Sequence, residues 1–245
     1  MNRIFLTPIV KQVVIGCVIL FIGTILMDNK GINLNEYLAM HYPNNLLFKP
    51  WQLITHMFMH GGLTHLLFNM IGLISIGVVV ENFMGSKRFL TLFFFAGFGA
   101  IGIHILSQII ELHNLTGLWF PTAEALDLVI EGEKVKTNSP LIPDSETLGK
   151  VSSIVFGQVV GASGALYGVV TAFAFLFPNT ELMIMFIPYP IKAKYLVPGF
   201  ILLDIVMGFS SFGWDPIAHF AHIGGALFGL LLVMYWRKFD KKNFW

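Results

Sequence analysis

Ser163 stands between Ala162 and Gly164 in a stretch that otherwise reads as membrane helix. His222 lies 59 residues further on, near the corresponding end of another apolar stretch. A hydroxyl and an imidazole are costly inside hydrocarbon, so their presence there points to function. Serine is a weak nucleophile at its free pKa and needs a neighbouring base, a task suited to histidine near neutral pH. Attack on a peptide carbonyl creates an oxyanion, which needs donors already in place. His65 and Asn69, four residues apart, share one helical face and can aim donors together. The backbone N–H of Ser163, at a helix start, adds a donor in a place where the helix dipole favours negative charge. No acidic residue stands close in sequence to His222, so the expectation is a Ser163–His222 dyad without a third member.

The elements that must hold these groups are membrane helices. Of 245 residues, 56% are hydrophobic and 12% charged, and the mean hydropathy is +0.74. Soluble domains carry about 25% charge, so the composition is that of a multi-pass membrane protein. A net charge of +1 gives no sign of nucleic-acid binding. Cys17 is the only cysteine, which excludes intrachain disulfides and cysteine–zinc sites. Six segments can cross a hydrocarbon core of roughly 30 Å, near residues 10–27, 63–80, 89–110, 161–177, 195–209 and 216–236. They predict an all-α membrane protein: one six-helix bundle over residues 1–245, with exterior loops at 28–62 and 111–160 and no cleavable signal. Pro178, Pro188, Pro190 and Pro198 break the apolar run before the fifth segment, and residues 182–187 read as a turn.

Lysine and arginine set the orientation. Arg3, Lys11, Lys87, Arg88, Lys192, Lys194, Arg237, Lys238, Lys241 and Lys242 fall on one side, ten of the fifteen basic residues. Lys30, Lys49, Lys134, Lys136 and Lys150 fall on the other. The positive-inside rule places both termini in the cytoplasm. The loop before residue 55, with Tyr37, Tyr42, Phe48, Pro50 and Trp51, reads as a structured, partly interfacial element. The loop at 112–150 carries Glu124, Asp127, Glu131, Glu133, Asp144 and Glu146 and reads as a solvated exterior loop.

In this topology the second, fourth and sixth segments run inward, and each carries its unusual residues near its outer end. These are His60, His65 and Asn69, then Ser163, then His219 and His222. With the sixth segment starting at Pro216, His222 lies roughly 9 Å along its helix. Gly164 and Gly168 form a small-xxx-small face on the fourth segment, and Gly225 and Gly229 form one on the sixth. Such faces allow close helix packing in lipid. The run Gly161–Ala165 is not the G-x-S-x-G elbow of soluble hydrolases, because its fifth residue is alanine and no strand-forming sequence precedes it.

These residues resemble the rhomboid family of intramembrane serine proteases, in a minimal six-span bacterial form. The motifs are His60-Gly61-Gly62-Leu63-Thr64-His65-Leu66-Leu67-Phe68-Asn69, Gly161-Ala162-Ser163-Gly164 followed by Tyr167, and Ala218-His219-Phe220-Ala221-His222-Ile223-Gly224-Gly225. The run Glu81–Phe89 is similar to the family's connection between the second and third spans. The resemblance implies Ser163 as nucleophile, His222 as base and then acid, and His65, Asn69 and the Ser163 amide as oxyanion hole. It implies support from Gly161, which allows the local turn, and from Tyr167 stacked on the base. Phe68 corresponds to a lining position, and the fifth span to the element proposed to move as substrate enters. No metal or other cofactor is implied. The implied partners are transmembrane protein substrates entering sideways from the lipid bilayer, and the implied location is a bacterial cytoplasmic membrane, with the site opening on the extracytoplasmic side. The Trp-Arg pair often present in the family's first outer loop has Pro50-Trp51 as its nearest counterpart, and the 112–150 loop is long.

Two further functions compete with the protease. A catalytically silent rhomboid-like protein that binds membrane clients would have a damaged dyad, and both members are present. A transporter or histidine-ligated metal protein could draw on His56, His60, His65, His219 and His222, yet no HExxH pattern or repeat symmetry occurs. His56, His60 and His219 read as structural. Asp204 and Glu81 read as hydrogen-bonding joints between helices, and His104, Gln108 and Glu111 as a protein-facing stripe.

Overall fold

Pro8 opens α1 (Pro8–Asp28), at a position where its missing N–H is no loss. The next two amides find a carboxylate from elsewhere in the chain: Ile9 N–H donates to Glu81 Oε1 at 3.0 Å and Val10 N–H to Oε2 at 2.9 Å. The Ser86 hydroxyl donates to the same Oε1 at 2.6 Å. Glu81 is buried, so this joint satisfies two orphan donors of a helix start and a charge that would otherwise be costly. The computed structural model describes residues 6–132, 134–183, 189–210 and 218–239. Arg3, Glu133, Pro188, Pro216, Lys241, Lys242 and most of the 182–187 turn lie outside them.

After α1 the chain makes α2 (Leu34–Leu38), the short strand β1 (Met40–His41) and α3 (Gln52–Thr55). The first loop is therefore structured, with Tyr42 and Gln52 buried. A helical rod follows over Leu63–Met84, made of α4 (Leu63–Gly72), one stretch of wider turns and α5 (Val78–Met84). Next comes α6 (Ser86–Thr116).

The acidic loop differs from expectation. It folds into a hairpin, β2 (Leu128–Glu131) with β3 (Lys134–Thr137), and a helix α7 (Ser145–Val155) whose first turn is capped by Asp144 at 2.8 Å from Thr147 N. Glu124, Asp127, Glu131, Asp144 and Glu146 are solvated or only partly covered, as read from the sequence. Beneath them Leu112, Leu126, Leu128, Ile142, Val151 and Val155 close over Tyr42 from the first loop. The apolar residues of this loop are scattered along the sequence, and the core they form is completed by Tyr42 from the first loop and Leu112 from α6.

Strand β4 (Gln158–Val159) pairs antiparallel with β1, setting Met40 opposite Val159 and His41 opposite Gln158. It leads into α8 (Ser163–Leu176). A small pair, β5 (Glu181–Leu182) and β6 (Ile191–Lys192), precedes α9 (Ala193–Ser210), and α10 (His219–Phe239) follows. Among the described residues, five helical stretches are long and apolar enough to cross a membrane, namely α1, the rod over Leu63–Met84, α6, α9 and α10. With 14 residues α8 spans about 21 Å, so the expected segment from 161 is shortened by two residues at its start. Gly161 has φ +127°, which is not helical, and the helix begins only at Ser163.

The short helix sits at the centre. Its Gly164 and Gly168 meet Gly225 and Gly229 of α10 so closely that a β-carbon on Gly225 would strike the Gly164 carbonyl, and one on Gly229 the Gly168 backbone. Ala96 and Ala100 of α6 close the other side of the same glycines. A core of Val10, Leu73, Phe89, Phe93, Val169 and Ala172 fills the opposite half of the bundle. Small residues let three backbones approach, and dispersion between them replaces a hydrophobic drive that lipid does not supply.

Candidate active site

The glycine contact between α8 and α10 decides what meets at their ends. Ser163 is the first residue of α8, and His222 lies one turn into α10. The Ser163 hydroxyl donates to His222 Nε2 at 3.0 Å. The Tyr167 ring, one turn after Ser163, lies flat on the imidazole with centroids 4.2 Å apart and planes 7° apart.

The approach to Ser163 is fixed from the first loop. Gly161 N–H donates to the His56 carbonyl at 2.9 Å, and the His56 ring nitrogen Nδ1 donates to Gln52 O at 2.7 Å. His56 is fully packed, and burial lowers its pKa from 6.5 to about 4, so the ring is neutral and keeps one N–H for that bond. His60 is lowered to about 4 as well, by burial and by the neighbouring His65 ring, which meets it edge-on at 5.1 Å. Both histidines are structural here.

His65 comes up beside Gly161. A β-carbon there would lie 2.7 Å from His65 Cε1, 2.8 Å from Nε2 and 3.7 Å from Ser163 Oγ, so imidazole and hydroxyl border the same small space. Asn69 is buried one turn below and donates through Nδ2 to His65 O at 2.9 Å, and the amide has a second N–H to offer. Phe68, on the same helix, is more than half exposed. Gly164 contributes packing only, against Ala100 and the Ala221 carbonyl.

A third partner for the imidazole is present, contrary to the dyad expectation. Asp204 Oδ1 accepts from His222 Nδ1 at 3.1 Å and from His219 Nδ1 at 2.6 Å. Asp204 is on α9, 18 residues before His222, which is why a search near His222 in sequence does not find it. The signal that could have found it is depth: α9 runs opposite to α8 and α10, so a polar residue late in α9 lies level with one early in α10. A cavity of about 280 Å³ opens beside this acid, lined by Tyr167, Phe200, Leu203, Met207, His219 and His222.

The Rhomboid domain family matches residues 47–120 and 139–239, which is most of the chain. This protein belongs to the rhomboid family. Its similarity extends to an uncharacterised mitochondrial rhomboid protein of Schizosaccharomyces pombe, 27% identical over 76% of this chain and 50% of that protein. It is also similar to the mitochondrial presenilin-associated rhomboid-like protein of Homo sapiens, 26% identical over 85% of this chain and 43% of that protein. A shorter match, 32% identical over 35% of this chain and 30% of the relative, is to the rhomboid protease GlpG of Salmonella choleraesuis. The rhomboid described here thus spans half or less of the length of these relatives. Family membership and the apolar helices make it a multi-pass integral membrane protein, and the family supports intramembrane protease activity in general.

Proposed function

We propose that this rhomboid is a serine endopeptidase that cleaves peptide bonds in or next to transmembrane segments of other membrane proteins. The observation that carries the reading is the 3.0 Å bond between Ser163 Oγ and His222 Nε2, made across two helices locked by facing glycines. His222 takes the hydroxyl proton as Oγ attacks the carbonyl carbon. The carbonyl oxygen becomes an oxyanion held by His65, Asn69 and the Ser163 N–H. As the tetrahedral species collapses, His222 gives the proton to the departing amine and an acyl ester remains on Ser163. Water, deprotonated by His222, then cleaves the ester and frees Ser163. No metal or other cofactor enters this sequence of steps.

The substrate segment enters from the bilayer past α9, which buries fewer of its residues than α6 or α10 and borders the cavity beside His222. A regular helix hides its carbonyls, so clients carry helix-weakening residues near the cut. The distribution of lysine and arginine supports a single bundle of six spans with cytoplasmic termini. The site then opens to the extracytoplasmic side of a cytoplasmic membrane of bacterial type.

The test compares wild type, Ser163→Ala and His222→Ala, purified in detergent, for cleavage of a transmembrane model substrate and for labelling by a fluorophosphonate. Wild type is expected to cleave and label, and both variants to lose both. Cleavage that persists in Ser163→Ala, or that a chelator abolishes, overturns the assignment.

A further inference from the structure

We propose that Asp204 is a positioning residue that holds His222 in the tautomer and orientation a base for Ser163 requires. The inference rests on the Ser163–His222 reading and deepens it. A neutral imidazole carries one N–H and one lone pair. With a carboxylate oxygen 3.1 Å from Nδ1, the proton sits on Nδ1 and the lone pair is presented by Nε2, 3.0 Å from the hydroxyl it must deprotonate. The stacked Tyr167 ring fixes the plane of the imidazole but has no preference between tautomers. Asp204 supplies that preference.

It also supplies charge where charge appears. Proton transfer from Ser163 makes His222 an imidazolium, and the carboxylate already faces it. The side chains of Asp204 and His222 are 7% and 12% exposed, so the attraction acts in a medium of low polarity and needs no solvent rearrangement. The proton that Ser163 loses stays on Nε2 until the leaving amine takes it, and Asp204 itself remains ionised throughout.

The competing reading is that Asp204 is only a joint between α9 and α10, since it also accepts the shorter 2.6 Å bond from His219. The two readings differ in what they predict for its two partners. A joint is weakened by loss of either histidine contact. A positioning residue acts on the reaction through His222, and His219 only secures the carboxylate.

The experiment reconstitutes the full chain in vesicles and measures kcat, KM and the rate of fluorophosphonate labelling for wild type, Asp204→Asn, Asp204→Ala and His219→Ala. In soluble Ser-His-Asp proteases the Asp-to-Asn change lowers kcat about 10⁴-fold with the geometry intact. Here Asp204→Asn is expected to lower kcat and labelling in parallel by about 10²–10⁴-fold, with KM changed less than about threefold. His219→Ala is expected to lose at least about tenfold less than Asp204→Asn. A folded Asp204→Asn with kcat within about threefold of wild type overturns the proposal, as do equal losses in Asp204→Asn and His219→Ala. One readout does not depend on a folded aspartate variant: the wild type and Ser163→Ala should show a far-downfield proton resonance from His222 Nδ1–H, missing in His222→Ala, and its absence from wild type overturns the proposal. Activity surviving in Ser163→Ala or His222→Ala would instead remove the underlying protease reading, so the two failures are distinct.

Discussion

Replacing Gly161 by alanine should damage stability and chemistry together, because one methyl group meets two separate obstacles. At φ +127° an L-residue is strained by roughly 1–3 kcal/mol. The added carbon would also sit 2.7 Å from His65 Cε1 and 2.8 Å from Nε2, closer than packed carbons tolerate. There are two ways out. The backbone can return to negative φ, which breaks the 2.9 Å bond from Gly161 N to His56 O, worth about 0.5–1.5 kcal/mol, and displaces Ser163 two residues later. Alternatively His65 swings away, and loss of one oxyanion donor costs about 10²–10³ in kcat. By the first route the fold should lose about 0.5–1.5 kcal/mol and by the second about 1–3 kcal/mol, and by either kcat should fall at least about 100-fold. The assay pairs thermal unfolding in detergent with cleavage of a transmembrane substrate. Gly102→Ala is the control, since its β-carbon meets open space in mid-helix and should be neutral or stabilising by up to about 1 kcal/mol. A Gly161→Ala protein with an unchanged midpoint and kcat within about threefold of wild type would refute the reasoning.

Gly225→Val should push α10 off the Gly164 carbonyl and cost about 3 kcal/mol or more, read as a lowered unfolding temperature; an unchanged one would mean the helices are not held by backbone contact. Glu81→Gln weakens three hydrogen bonds that lead to a buried carboxylate, and about 2–3 kcal/mol should be lost. Hydrogen exchange should show the first turn of α1 opening while the exchange of α8 changes little. Stability should also depend on pH through His56, whose pKa is lowered from 6.5 unfolded to about 4 folded. The unfolded chain binds a proton that the folded one refuses, so the contribution is complete above pH 6.5. It falls by about 3 kcal/mol as pH drops towards 4, with His60 adding a loss of the same sign. Unfolding midpoints between pH 7 and 4, compared with His56→Asn, check this; a pH-independent wild type would show that the ring is solvated.

The candidate residues Ser163, His222, His65 and Asn69 are legible in the sequence because each is a polar exception in an apolar run, and exceptions at matched depth are informative. The glycine faces were legible for a related reason: spacing of four survives as a pattern in sequence, and the structure turns it into one contact between α8 and α10. Asp204 reads from the sequence as a joint between helices, and its bonds to His219 and His222 do join α9 to α10; which residues it meets is set by antiparallel packing and not by spacing. The folded 112–150 region was hidden for another cause. Its core is completed by Tyr42, about seventy residues before Leu112, and its surface is acidic, so local composition reported only the surface. The helix α8 starts two residues after the apolar run does, because hydropathy does not register a positive φ.

The distribution of the site over helices of unequal attachment has a consequence of its own. Ser163 and His222 stand on α8 and α10, whose backbones touch through four glycines, so their separation is set by direct backbone contact with no side chain between. Gly161 is tied to the first loop through His56 and the β1–β4 pair, and the His65 ring meets His60 edge-on. Asp204 alone comes from α9, which lies against its neighbours with far fewer buried residues and borders a cavity. A displacement of α9 large enough to admit a substrate helix would leave the 3.0 Å serine–histidine bond in place and lengthen the 3.1 Å aspartate–histidine bond. On the proposed roles of His222 and Asp204, the same movement that opens the site would release the base from its orienting partner, and full activity is then expected to need α9 back against α10 around the bound segment. A disulfide between cysteines placed on the facing sides of α9 and α10 tests this order of events. It should slow cleavage of a transmembrane substrate while labelling by a small fluorophosphonate stays within about threefold of the reduced protein. Unchanged cleavage of the transmembrane substrate in the oxidised protein would show instead that α9 need not move for entry.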